Sequence, residues 1–267
     1  MRSERVKSIK NIACFTIAAS MTPWAGAGDM LLWHQESISY QYGKDFKVDP
    51  RRMQIITFEH TSGWAWGDFF FFIDNYWYPG AKTDYDGHHG IYSEYSPRFS
   101  LSKITGRDFS WGVIKDVLVA TTVEWDNNRS RGRDDQVNYL LGPGFDLNLP
   151  GFDYFMLNFY YRKPEGGEGM GGWQVTPVWS YTVPVGRSDI LIDGYIDWVI
   201  GDKYGLKHNF HFNPQIKYDL GKVAWGVPRK FYVGVEYDYW SNKYGIENTS
   251  AYKTNQSVTS AMIKYNF

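Results

Sequence analysis

The chain has 267 residues, a formal net charge of −1, a mean hydropathy of −0.45 and an aromatic share of 19%. After the first two dozen residues no apolar run approaches the ~20 residues of a transmembrane helix, which excludes helical spanning, and the near-neutral charge gives no basic face for nucleic acid. Twelve Trp, 21 Tyr and 17 Phe are far more ring surface than one buried core of this size asks for.

At the start, Arg2, Arg5, Lys7 and Lys10 precede the apolar stretch 12–21, and Ala25-Gly26-Ala27 follows as a small-x-small site. That order predicts a secretory signal peptide over residues 1–27, removed from a mature domain of residues 28–267. Cys14, the only cysteine, leaves with it. The mature protein then has no disulfide and no thiol chemistry, so its stability in an oxidising compartment must come from a closed hydrogen-bond ladder.

Twelve segments with strand character follow, near 31–42, 54–61, 64–77, 91–101, 114–125, 137–149, 152–162, 173–184, 189–200, 208–220, 230–240 and 257–267. Their connections tend to alternate long and polar with tight, the tight ones including Thr61 to Gly63, Pro150-Gly151 and 185–188. Long loops should face outward and tight turns the periplasm. Connections 102–112 and 221–228 are long for periplasmic turns. With no internal repeat or linker, the expectation is a single domain: an all-β, transmembrane, antiparallel up-and-down barrel of about twelve strands in the bacterial outer membrane.

Period two assigns faces. In strand 189–200, Ile190, Ile192, Ile196, Trp198 and Ile200 face lipid, which turns Asp193, Tyr195 and Asp197 into the lumen, because a carboxylate in lipid is strongly disfavoured. In 208–220 the inward set is Asn209, His211, Asn213, Gln215, Lys217 and Asp219. In 231–240 it is Tyr232, Glu236, Asp238 and Trp240, and in 152–162 it is Tyr154, Asn158, Tyr160 and Arg162. The last strand alternates Ala261, Ile263, Tyr265 and Phe267 outward against Ser260, Lys264 and Asn266, and it ends the chain on an aromatic, as closing strands of outer-membrane barrels typically do. The lumen is thus polar and aromatic together. Ring faces with carboxylates and amides suit a flat, hydroxyl-bearing solute, held by several weak sites in series.

Residues 95–112 carry Pro97-Arg98, Ser100-Leu101, Ile104-Thr105, Asp108-Phe109-Ser110 and Gly112. This segment resembles the Pro-Arg-x-Ser-[IL]-x-x-[IL]-Thr-x-x-Asp-[LF]-Ser-x-Gly pattern of the Tsx nucleoside-channel family. Val119-Ala120-Thr121, Glu124-Trp125-Asp126, Gly194-Tyr195-Ile196-Asp197 and Tyr244-Gly245-Ile246 are more similar still to the OmpK branch of that family. Trp33-His34-Gln35 and Asp74 in Phe72-Ile73-Asp74 also match family positions. The resemblance implies a monomeric outer-membrane channel that passes nucleosides and deoxynucleosides by diffusion and serves as a bacteriophage receptor through its outer loops. The loops at 85–89 and 127–133 depart from the family, so no named phage follows.

Candidate solute contacts are Asp74, Glu94, Arg98 and Glu124 inside matched segments, with Asp193, Tyr195, Asp197, His211, Tyr232 and Glu236 from face assignment. Glu94 and Arg98 share a face but lie roughly 13 Å apart along the strand, so each should bond across strands, and for Arg98 neutralisation by a neighbouring strand is favoured over solute contact. Asp193 and Asp197 around Tyr195 suit a ribose or a solvated wall equally. His211 is a donor to a base edge or a hydrated wall residue. The pair His88-His89 beside Asp84 and Asp86 reads as solvated loop rather than metal site, and no cofactor or metal is expected. Two alternatives stand beside the channel. One is a non-transporting receptor or structural barrel. The other is a lipid-modifying barrel enzyme, which needs an outward Ser and His near the rim; His208 faces outward, but spacing offers it no serine partner.

Overall fold

The computed structural model describes residues 30–80, 89–127, 135–167, 169, 171–201 and 205–267. The proposed signal peptide, Asp84, Asp86 and His88 lie outside them. Twelve strands form one closed antiparallel barrel: β1 Leu31–Lys44, β2 Arg52–Trp64, β3 Gly67–Trp77, β4 His89–Ser100, β5 Ile114–Asp126, β6 Gln136–Leu147, β7 Tyr154–Pro164, β8 Gly172–Val185, β9 Ser188–Ile200, β10 Asn209–Asp219, β11 Phe231–Ser241 and β12 Gln256–Asn266. Each strand pairs with its sequence neighbours. The ring closes where β1 meets β12, Ser37 opposite Asn266 and Tyr42 opposite Ala261. Closure matters energetically, since an open edge in hydrocarbon would leave several kcal/mol unmet at each unpaired backbone group.

Side-chain direction follows the period-two assignment. On β10, Asn209, His211, Asn213, Lys217 and Asp219 are withdrawn into the barrel while Ile216 is exposed on the outer surface. On β12, Ser260 and Met262 point inward and Ile263 and Tyr265 outward. Exposed Trp77, Trp125, Tyr139, Tyr161, Trp173 and Trp198 ring one end of the barrel, and Trp225, Tyr265 and Phe267 lie toward the other. These are the aromatic girdles a membrane-spanning barrel places at its two interfaces.

The tight hairpins mark the periplasmic end. Val185 pairs with Ser188 around Gly186, whose φ of 60° is the left-handed geometry a two-residue hairpin takes up without strain only at glycine. The β2–β3 turn lies at Ala65-Trp66, not at Thr61 to Gly63: β2 runs on to Trp64, which pairs with Gly67, because Ser62 and Trp64 satisfy the outer face by hydrogen-bonding each other. The two long periplasmic connections each contain a short helix, α1 (Leu101–Thr105) and α2 (Leu220–Trp225). The side chains of Ser100 and Asp219 cap their N-termini, and Gly106 and Gly226 end them in left-handed conformation.

Candidate functional site

The lumen is built by the inward half of every strand. At its wall, opposite charges meet across strands, some adjacent and some next but one. Lys217 Nζ lies 2.6 and 2.7 Å from the two oxygens of Asp193 and 2.7 Å from Gln215 Oε1. Lys264 on β12 reaches Glu59 on β2, which also accepts from Ser37 at 2.8 Å. Arg98 forks onto Asp68 at 2.8 and 2.6 Å and comes within 3.0 Å of Asp146. Arg162 clamps Glu124 with both terminal nitrogens, and Asn138 donates to the same carboxylate at 3.0 Å. Buried charges need such partners, since a lone one costs several kcal/mol.

A second group of carboxylates meets only neutral partners among the described residues. Asp74 accepts from Thr57 at 2.5 Å and Tyr76 at 2.9 Å. Glu94 accepts from Tyr92 at 2.6 Å. Asp197 accepts from Gln174 at 2.9 Å and Thr176 at 2.6 Å. Glu236 accepts from Gln41 at 2.9 Å and Gln215 at 2.8 Å. All four lie on the inward face of their strands, on β3, β4, β9 and β11, so they are spread around the ring of twelve.

Rings fill the spaces between. Phe72 lies 5.7 Å from both Phe70 and Tyr92, Tyr195 meets His211 edge-on at 5.2 Å, and Trp240 stacks on His211 at 3.8 Å. His211 Nε2 is 3.0 Å from Asp238, whose other oxygen accepts from Gln256 at 2.6 Å. Tyr232 is buried in the wall opposite Lys264 on β12. All ten residues singled out from the sequence therefore line the lumen. Tyr195 and His211 are in ring contact and Asp74, Glu94, Asp197 and Glu236 accept only from neutral side chains among the described residues, whereas Arg98, Glu124 and Asp193 are consumed in ion pairs and Tyr232 lies buried in the wall. Phe70 and Phe72 were not identified in the sequence, because the run Phe69-Phe70-Phe71-Phe72 hides its phase; only Asp74 two residues on fixes it.

The outer mouth carries folded loops. Phe46 and Asp49 of the β1–β2 loop and Lys243 of the β11–β12 loop are buried. Lys243 Nζ is 2.9 Å from Asp49 and lies 5.2–5.8 Å from the ring centres of Phe46, Trp240 and Tyr244. Tyr244 Oη donates to Asp49 at 2.7 Å, and Lys47 N donates to Gln256 at 2.8 Å. Val48 sits at φ 68°, a position a β-branched residue holds only when its surroundings impose it.

On the lipid face the structure brings together a serine, a histidine and a carboxylate that spacing alone did not connect. Ser62 Oγ is 2.9 Å from His60 Nε2, and His60 Nδ1 is 2.9 Å from Glu36. Ser62 has no exposed surface, and its oxygen also accepts from Trp64 Nε1 at 2.8 Å. A nucleophile must be reachable by its substrate, so this constellation is no hydrolytic centre. His89 is exposed and packs against Trp77 at 5.6 Å. Among the described residues no cluster of three or more His, Cys, Asp or Glu is arranged to hold a metal.

With this geometry in view, residues 30–267 match the family model described as the nucleoside-specific channel-forming protein Tsx. The chain belongs to the Tsx family. It is 28% identical over 175 residues to the outer membrane protein OmpK of Vibrio parahaemolyticus, a match that takes in 64% of this chain and 62% of that protein. It is 29% identical over 124 residues to the nucleoside-specific channel-forming protein Tsx of Escherichia coli O157:H7, covering 44% of this chain and 42% of that one. The matches thus span less than two thirds of either relative. Among solved structures, the KdgM porin aligns over 86% of this chain and 99% of its own with a TM-score of 0.47 and 11% identity, too loose a likeness to bear on function. The protein is accordingly a bacterial outer-membrane β-barrel of a channel family, not an enzyme.

Proposed function

We propose that this Tsx-family barrel passes nucleosides and deoxynucleosides by facilitated diffusion, as a monomer, and that its outer loops can serve as a bacteriophage receptor. The observation carrying the channel reading is that the inward faces of the strands hold rings together with neutral-partnered carboxylates. Phe70, Phe72, Tyr92, Tyr195 and Trp240 offer ring surface for a base, while Asp74, Glu94, Asp197 and Glu236 retain acceptor capacity for ribose hydroxyls. Base-on-ring stacking is worth about 1–3 kcal/mol per base, enough to concentrate a solute and too little to trap it. The Tsx relative of Escherichia coli O157:H7 is itself named a nucleoside-specific channel-forming protein, which agrees with this solute class.

Single-channel recording in planar bilayers tests it, with adenosine, thymidine, free phosphate and a hexose compared on one preparation. Concentration-dependent interruption of the current by the nucleosides alone is the expected result. Equal block by the hexose overturns nucleoside selectivity. A second reading, a barrel closed to solutes, is favoured by the buried Lys243–Asp49 contact at the mouth, and absence of any conductance would establish it.

A further inference from the structure

The polar cluster on the outer face belongs to no part of the lumen. His34, Glu36, His60 and Ser62 occupy the phase of β1 and β2 that otherwise holds Ile38, Tyr40, Ile56 and Phe58. Polar groups on that face are expensive in hydrocarbon and become tolerable toward the interface. Here they lie at the periplasmic end: Phe267 N donates to Glu36 O at 2.9 Å, and His60 packs against Phe69 at 5.7 Å, which in turn meets exposed Tyr95 at 4.5 Å. The cluster therefore sits among interfacial rings at headgroup depth in the inner leaflet.

Hydrogen-bond accounting says what it can take. Both imidazoles direct Nδ1 at Glu36, His34 at 3.0 Å and His60 at 2.9 Å, so in their neutral forms Nδ1 carries the proton. His60 Nε2 then accepts from Ser62, whose oxygen accepts from Trp64. Every donor is spent internally. What remains facing outward, with the imidazoles neutral, is acceptor capacity: the Nε2 lone pair of half-exposed His34 and the free lone pairs of the Glu36 carboxylate. We propose that this site holds the primary ammonium of an ethanolamine phospholipid, its three N–H groups shared between Glu36 and His34. A trimethylated choline headgroup has the charge without the donors, and a glycerol headgroup has neither the charge nor the match.

The experiment reconstitutes the full barrel into nanodiscs with equal phosphatidylethanolamine, phosphatidylcholine and phosphatidylglycerol, and identifies retained lipid by native mass spectrometry. The ethanolamine lipid should be retained about tenfold over the other two, the size of one charge-assisted hydrogen bond. Glu36→Gln should abolish the preference and His34→Ala should weaken it, with folding checked by heat-modifiable gel migration. Equal retention of the three lipids by the unmodified protein overturns the site without recourse to any variant, as does a folded Glu36→Gln barrel that keeps the preference.

Discussion

His211 lies face to face on Trp240, ring centres 3.8 Å apart and planes 13° from parallel, while its Nε2 reaches Asp238 at 3.0 Å. The stack uses up one face of each ring, Tyr195 meets His211 edge-on at 5.2 Å, and Lys243 and Tyr244 lie 5.6 and 5.5 Å from the Trp240 ring centre, so the pair is held from several sides. A rigid aromatic edge of this kind costs a solute little ordering on binding.

Trp240→Ala and Tyr195→Ala should each weaken nucleoside block by about five- to a hundredfold, the range set by the loss of one stacking partner, with much smaller change in open conductance. Tyr232→Ala, buried in the wall against Lys264, should have a similar but smaller effect. Bilayer recording of block constant and conductance on the same channels separates the two quantities. Parallel loss of both would argue that the rings merely shape the pore.

Lys217 is 1% exposed and its ammonium is shared by Asp193 and Gln215. Lys217→Met removes the partner and leaves a carboxylate in the wall, a change expected to cost about 3–5 kcal/mol. Pairing it with Asp193→Leu should recover most of that loss, since neither charge then remains. Urea unfolding of the four proteins in lipid vesicles gives the double-mutant cycle directly. A double variant no better than Lys217→Met would mean that the ion pair holds more than itself.

Among the described residues, Asp74, Glu94, Asp197 and Glu236 meet no cationic side chain in hydrogen-bond contact, and inward carboxylates of this kind attract small cations. The open channel should therefore pass K⁺ in preference to Cl⁻ at neutral pH, and Glu94→Gln with Glu236→Gln should move the reversal potential in a KCl gradient toward zero. An anion-selective current from the unmodified channel would contradict the arrangement.

Strand number, closure and lumen direction were legible because β9, β10 and β12 carry their charges strictly in one phase, and hydrocarbon enforces that phase. Less was legible where the signal was local chemistry. In Phe69-Phe70-Phe71-Phe72 both phases are greasy, so the inward pair was invisible. The ion pairs Lys264–Glu59 and Arg162–Glu124 join strands that are not neighbours in sequence order or in pairing, β12 to β2 and β5 to β7, and such contacts depend on lumen width. His60 and Ser62 did carry a signal: they stand polar in an apolar phase, but their partner Glu36 lies on another strand, and only register unites them.

The mouth offers the last test. Asp49 accepts from both Lys243 and Tyr244, and this buried contact ties the β1–β2 loop to the β11–β12 loop across the strand seam. Nearby, Asp45 holds Arg51 at 2.7 Å, a contact that keeps its carboxyl below the usual range of about 3.8. Because that folded-state value is lowered, its contribution is complete above the ordinary carboxylate range and fades only as pH falls through the lowered value. Between pH 6 and 8 the loop should accordingly be insensitive to Asp45, and any gating there belongs elsewhere. Lys243→Ala strips the cation from Asp49 and from the rings of Phe46, Trp240 and Tyr244. If these loops constrict the passage, single-channel conductance should rise in Lys243→Ala and again in Asp49→Ala, and the double variant should add little to either, since one contact is lost in all three. Unchanged conductance in all three would move the narrowest point inward, away from the loops.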